Sequence, residues 1–170
     1  MPGKLWDNTR EWHHKCESHP VGASMAAGNP KKDDYADWLM TLFFIHLKID
    51  PHMPDCAWKT SALLKDIENN AVIPKAPISV IKWFNNDLTD NEIGGFTYVL
   101  TGAHLMGGEI MRRRLKDYPT SHLEWQDRKE ALSYLSTLRD KEEYTVGALQ
   151  CFELLYHAME EIHDGNLYFF

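Results

Sequence analysis

Apolar residues along the chain recur at helical rather than strand spacing. Tyr35, Leu39, Leu42, His46 and Ile49 follow one another at three or four residues, with Trp38, Phe43 and Ile45 widening the stripe, and Leu149, Phe152, Tyr156 and Met159 repeat the pattern near the C-terminus. No segment alternates with period two and β-branched enrichment, so the pattern predicts an all-α bundle with kinks.

Capping and breaking residues divide the chain further. A first helix is predicted over about 8–18, with Asp7, Asn8 or Thr9 as N-cap and Pro20 and Gly22 ending it. The second opens after Pro30, carries Asp33 and Asp34 in its first turn where the helix dipole favours them, and ends before Pro51. Further helices are expected over 54–69, 79–84, from Thr89 or Asp90 to about 115, 121–139 and 145–163.

Composition narrows the class. The chain has 170 residues, 44% of them hydrophobic, enough for one domain spanning 1–170 with one core. A net charge of −7 and a pI near 5.7 argue against nucleic acid and against anionic membrane surfaces as partners. Cys16, Cys56 and Cys151 are odd in number and widely spaced, which suggests neither a disulfide framework nor a zinc site and fits a reducing cytoplasm. The first residues lack the apolar core of a signal peptide, and the longest uncharged apolar run, 38–47, is too short to span a bilayer. The tail Asn166-Leu167-Tyr168-Phe169-Phe170 only partly resembles a protease-site remnant and carries no inference.

Two segments carry candidate chemistry. The helix from Thr89 to about Leu115 holds Gly94, Gly95, Gly102, Gly107 and Gly108, each costing about 1 kcal/mol relative to alanine in a helix interior. His104, Gly107, Gly108 and Met111 share a face at i, i+3, i+4 and i+7. Such a strip admits a flat ligand against bare backbone; close helix–helix packing is the equally good alternative. In the first helix His13 and Glu17 share a face, with Arg10 one turn earlier. A carboxylate so placed can accept a hydrogen bond from one ring nitrogen while the other holds a ligand.

The run Thr9-Arg10-Glu11-Trp12-His13-His14-Lys15-Cys16-Glu17-Ser18 resembles the proximal helix of heme oxygenases, with His13 in the iron-ligating position. Tyr98-Val99-Leu100-Thr101-Gly102-Ala103-His104-Leu105-Met106-Gly107-Gly108-Glu109-Ile110 resembles their distal helix, especially in the bacterial branch associated with phytochrome chromophore supply. Phe152 and Met159-Glu160-Glu161-Ile162 are similar to the last helix of the family, and ungapped counting places Arg128 at a propionate-contacting arginine.

The resemblance implies a heme oxygenase-like bundle with a kinked, glycine-containing distal helix. It implies oxygen- and reductant-dependent opening of heme b, both substrate and cofactor, to biliverdin (IXα by family default), carbon monoxide and ferrous iron. Its implied heme contacts are His13, Glu17, Arg10, Tyr98, Gly107, Gly108, Met111 and Arg128, with His104, Gly107 and Gly108 serving catalysis. Many members carry an aspartate where this chain has His104, a residue that can order water or coordinate iron from the distal side.

Nothing in the chain resembles a flavin or iron–sulfur site, so electrons are expected from ferredoxin or a flavoprotein reductase, and a bilin reductase is an implied downstream partner. Arg112, Arg113, Arg114 and Lys116 form a basic cluster to which an acidic carrier could dock, or a solvated helix end. Two further classes stand beside this expectation. One is a heme carrier or sensor without turnover. The other is a di-iron oxidase using Glu11, His14, Glu160 and His163 at E-x-x-H spacing, with Glu68 and Glu109.

Overall fold

The computed structural model describes residues 2–168, and helices dominate it. Nine α-helices occur among those residues: α1 (Lys4–Ser18), α2 (Pro20–Ala27), α3 (Lys32–Ile49), α4 (Thr60–Asn69), α5 (Ile78–Phe84), α6 (Asp90–Met106), α7 (Gly108–Arg114), α8 (Arg128–Leu138) and α9 (Thr145–Asp164). The one departure from an all-helical pattern is a short antiparallel pairing of Ala76 and Pro77 with Tyr168 and Leu167. Of the tail, Phe169 and Phe170 lie outside the described residues.

The two apolar stripes meet in the centre. Tyr35, Leu39, Ile45 and Ile49 of α3, Phe96 and Leu100 of α6, and Ala148, Cys151 and Ala158 of α9 are no more than 2% exposed. α9 packs against α1, α2, α3, α5 and α6, and α1 and α6 lie on it with little contact between them. The α6–α9 crossing is backbone against backbone: a Cβ on Gly95 would lie 2.1 Å from Ala148 N, and one on Gly147 would lie 2.4 Å from Glu92 O. Tyr144 covers Gly94 in the same way. For Gly94 and Gly95, then, the packing alternative holds.

Helix ends differ from the sequence expectation where a distant residue supplies the cap. α1 starts at Lys4 rather than near Asn8 because Lys4 N donates to Asp140 Oδ1 (3.1 Å) and Leu5 N to Arg139 O (3.0 Å). Pro20, expected as a terminator, is the first residue of α2, whose N-cap His19 accepts from Val21 N at 3.2 Å. α4 begins at Thr60, not Pro54, since Asp50 Oδ2 accepts from both Lys59 N and Thr60 N at 2.8 Å. Asp66 captures Ser121 N and His122 N at 2.8 and 2.9 Å, so α8 starts only at Arg128, after its cap Asp127. The α6 cap is as expected, a reciprocal Thr89–Glu92 capping box.

The glycine-bearing helix divides at Gly107 into α6 and α7. Arg128 Nη2 donates to Leu105 O at 3.1 Å, satisfying a carbonyl next to the break.

Candidate functional site

His13 sits on α1, its side chain 30% exposed, between the Trp6 ring at 4.9 Å and the Phe152 ring of α9 at 5.9 Å. Its Nε2 lies 3.4 Å from Glu17 Oε1, while its Nδ1 is buried and has no hydrogen-bond partner. Burial lowers the His13 pKa, against the opposing pull of Glu17, so the ring is held neutral with a lone pair available. A buried, unpartnered imidazole nitrogen costs stability unless something else binds there. His14 points outward, with Nδ1 3.7 Å from Glu17 Oε2, and Arg10 is exposed one turn before His13.

On the neighbouring α6 and α7, the accessible apolar surface is Ala103, Met106 and Ile110, with Gly107 among them; Met106 is 68% and Ile110 53% exposed. A Cβ on Gly107 would touch nothing beyond its own helix, and one on Gly102 only Leu135 at 3.8 Å. These two glycines, unlike Gly94 and Gly95, are not explained by a neighbouring helix. Gly108 instead faces inward toward Leu123, and Met111 is half-buried against the core. The strip expected on His104, Gly107, Gly108 and Met111 is therefore turned, so that Ala103, Met106, Gly107 and Ile110 carry it. Tyr98 is half-buried, and burial with the nearby Asp7 carboxylate of α1 raises its pKa, keeping the hydroxyl as a donor.

His104 faces the other way, into the core, where it is 5% exposed. Its Nε2 is 2.9 Å from Nε2 of His46, whose Nδ1 is 2.7 Å from Asp50 Oδ1. A second buried pair stands beside it: His122 Nδ1 lies 2.6 Å from Asp66 Oδ2, and the His122 ring is 5.8 Å from that of His104. Sequence reasoning assigned His46 only to an apolar stripe and missed Asp50, Asp66 and His122. The signal was there for one pair, because His46 and Asp50 stand at i, i+4 at the end of an otherwise apolar helix face.

The di-iron residues are not brought together. Among the described residues, one group of three or more potential metal ligands has its ligand atoms within 4.8 Å of one another: His13, His14 and Glu17. Glu11 and Glu68 are exposed, and Glu109 is paired with Arg112 and Arg113 on its own helix. In the basic cluster, Arg113 is 74% exposed, whereas Arg114 Nη1 donates to Ala26 O at 2.8 Å and ties α7 to α2. No helix among the described residues is long and apolar enough to cross a membrane.

This arrangement of helices is the heme oxygenase fold. The chain matches heme oxygenase-1 from the cyanobacterium Synechocystis sp. PCC6803, solved in complex with heme, with a TM-score of 0.79 over 95% of this chain and 91% of that one, at 15% identity. It matches heme oxygenase from Leptospira interrogans with a TM-score of 0.78 over 92% of this chain and 97% of that one, at 19% identity. No family model and no curated protein sequence matches the chain.

Proposed function

We propose that the chain is a heme oxygenase that binds heme b between α1 and the α6–α7 segment and opens the ring to biliverdin, carbon monoxide and ferrous iron. The observation that carries this reading is the neutral His13 ring with its unpartnered buried nitrogen, on a fold otherwise shared with a heme-bound oxygenase. The residues fit the group: a free imidazole nitrogen to take the metal, and uncovered glycine backbone at Gly107 to receive a flat face.

When bound, heme supplies both the iron at which oxygen is reduced and the carbon that is oxidised. The protein's part is positioning. His13 would hold the metal through its unpartnered ring nitrogen, and Glu17 would take the N–H of the other, strengthening the ligand. Ala103, Met106, Gly107 and Ile110 would exclude water from the bound group. Tyr98 offers a hydroxyl proton to a propionate, and Arg10 a positive charge. Arg128, whose Nη2 donates to Leu105 O beside the break at Gly107, is proposed as the propionate-contacting arginine.

His104, turned into the core with its Nε2 2.9 Å from His46 Nε2, acts from the inner side of α6 through water rather than as an iron ligand. Ferredoxin or a flavoprotein reductase supplies electrons, docking at Arg112, Arg113 and Lys116, and the α-meso position is the site of opening.

Hemin titration tests the reading. A Soret band should grow to one equivalent, and ascorbate or reduced ferredoxin should then replace it with the broad red absorbance of biliverdin. His13→Ala should lose the wild-type ligand spectrum. A stable Soret band without pigment would indicate a carrier, and a His13→Ala spectrum identical to wild type would defeat the assignment of the ligand.

A further inference from the structure

We infer that His13, His14 and Glu17 form a site on α1 that takes a zinc-class divalent cation from solvent, and that this cation competes with heme for the single lone pair of the His13 ring.

The helix sets the arrangement. Glu17 stands one turn beyond both histidines, at i+4 from His13 and i+3 from His14, so its carboxylate reaches back to both rings. Oε1 lies 3.4 Å from His13 Nε2 and Oε2 lies 3.7 Å from His14 Nδ1, and the three residues offer ligand atoms within 4.8 Å of one another. Both separations exceed the roughly 2.7–3.2 Å of a good N–H···O hydrogen bond. They are close to the edge of a zinc tetrahedron, because metal–ligand bonds of about 2.1 Å put neighbouring ligand atoms about 3.4 Å apart.

The surroundings hold these side chains without using their ligand atoms. Trp6 stands edge-on to the rings of His13 and His14, at 4.9 and 6.2 Å, and Phe152 of α9 flanks His13 at 5.9 Å. The backbone beneath is fixed, since α1 packs along α9 and its first turn is bonded to Asp140 and Arg139. The ammonium of Lys15, between His14 and Glu17 in sequence, is engaged over the Trp12 and Tyr156 rings at 4.3 and 4.6 Å. Two imidazoles and one carboxylate are a donor set suited to Zn²⁺, with water in the fourth position. His14 is 66% and Glu17 60% exposed, so a cation reaches the site from bulk solvent.

Competition follows from the valence of the ring. A neutral imidazole has one lone pair and one proton. A cation on His13 Nε2 leaves the proton on Nδ1, the buried nitrogen without a protein partner to which the proposed function assigns the heme iron. Zinc and heme can each hold the ring, but not together. The competition rests on that functional reading, whereas the cation site does not.

Zinc chloride titrated by calorimetry into the heme-free full chain tests the site. His14→Ala should weaken zinc by at least about tenfold. Because His14 points outward, the variant's hemin affinity should be that of wild type. His14→Gln, polar but without an imidazole, gives the same reading should the alanine variant fail to fold. With zinc at about ten times its Kd, wild type should bind hemin about tenfold more weakly, and the His14 variants should respond far less. Linkage requires hemin to weaken zinc by the same factor.

No zinc uptake by wild type, or equal zinc affinity in wild type and the His14 variants, would overturn the site. Zinc weakened by the substitutions but without effect on hemin would overturn the competition. If wild type binds no hemin, the heme reading and the competition fall together, while the calorimetry still decides the site.

Discussion

Gly95 of α6 lies against Ala148 of α9 so closely that a Cβ on it would sit 2.1 Å from the Ala148 nitrogen. Gly102, two turns further along the same helix, has only Leu135 within reach, at 3.8 Å. The same substitution should therefore have opposite signs at the two positions. Gly95→Ala forces the crossing apart and should cost about 3 kcal/mol, while Gly102→Ala gains helix propensity and should add about 0.5–1 kcal/mol. Urea denaturation of the two variants checks this, and equal effects would mean the crossing tolerates separation.

Gly107 separates ligand binding from folding. A side chain there meets only its own helix, at 3.4 Å from Ala103 O, and projects over the exposed strip beside Met106 and Ile110. Gly107→Leu should change stability by less than about 1 kcal/mol. Its hemin affinity should drop at least about tenfold, a cost of about 1.4 kcal/mol. Unaltered hemin binding would place the macrocycle elsewhere.

The buried histidines make stability fall on acidification. Burial lowers His104 well below its ordinary 6.5, and lowers His122 against the pull of Asp66. Below about pH 6.5 the unfolded chain protonates these rings while the folded chain does not, so stability declines as pH drops from 7 toward 5, by up to about 1.4 kcal/mol per unit for each histidine. Asp37 opposes this: burial pushes its carboxyl up to about 6, against a hydrogen bond from Lys75 N, so the folded state gains a proton there first. Asp50 and Asp66, held below 3.8, add their losses only at lower pH. Urea midpoints at pH 7, 6 and 5 should fall more steeply for wild type than for His104→Gln.

Charge reversal at Arg113 tests the proposed docking of an electron donor. Arg113 is 74% exposed and bonded only to Glu109 on its own helix, whereas Arg114 anchors α2 through Ala26 O. Arg113→Glu should slow ferredoxin-supported turnover several-fold and leave ascorbate-supported turnover and hemin affinity intact. Equal losses in all three assays would assign the residue to the heme instead.

How far the sequence could be read depended on the range of the interactions involved. The stripes of α3 and α9 and the Thr89–Glu92 cap of α6 are set by residues three or four apart, so they were legible in order and type. The two segments that carry the candidate chemistry could be picked out for the same reason, each being a short run. The starts of α1, α4 and α8 were not, because Asp140, Asp50 and Asp66 supply their hydrogen bonds from other elements. A segment cannot announce a cap that lies 136 residues away.

The glycines show the same division. Their number in one helix demanded a compensating contact, and composition could go no further. Only the packed molecule assigned Gly94 and Gly95 to the α9 crossing and left Gly102 and Gly107 uncovered. Likewise His104 was visible as a departure within a motif, while its partner His46 stands 58 positions away and meets it only once α3 and α6 are packed. By itself the sequence determined an all-helical chain and the two segments that carry the candidate chemistry, since periodicity and caps are local. Which glycines meet backbone, which way the Gly107 face turns and what holds the His104 ring were decided by tertiary structure, because close approach and buried hydrogen bonds exist only between elements already packed.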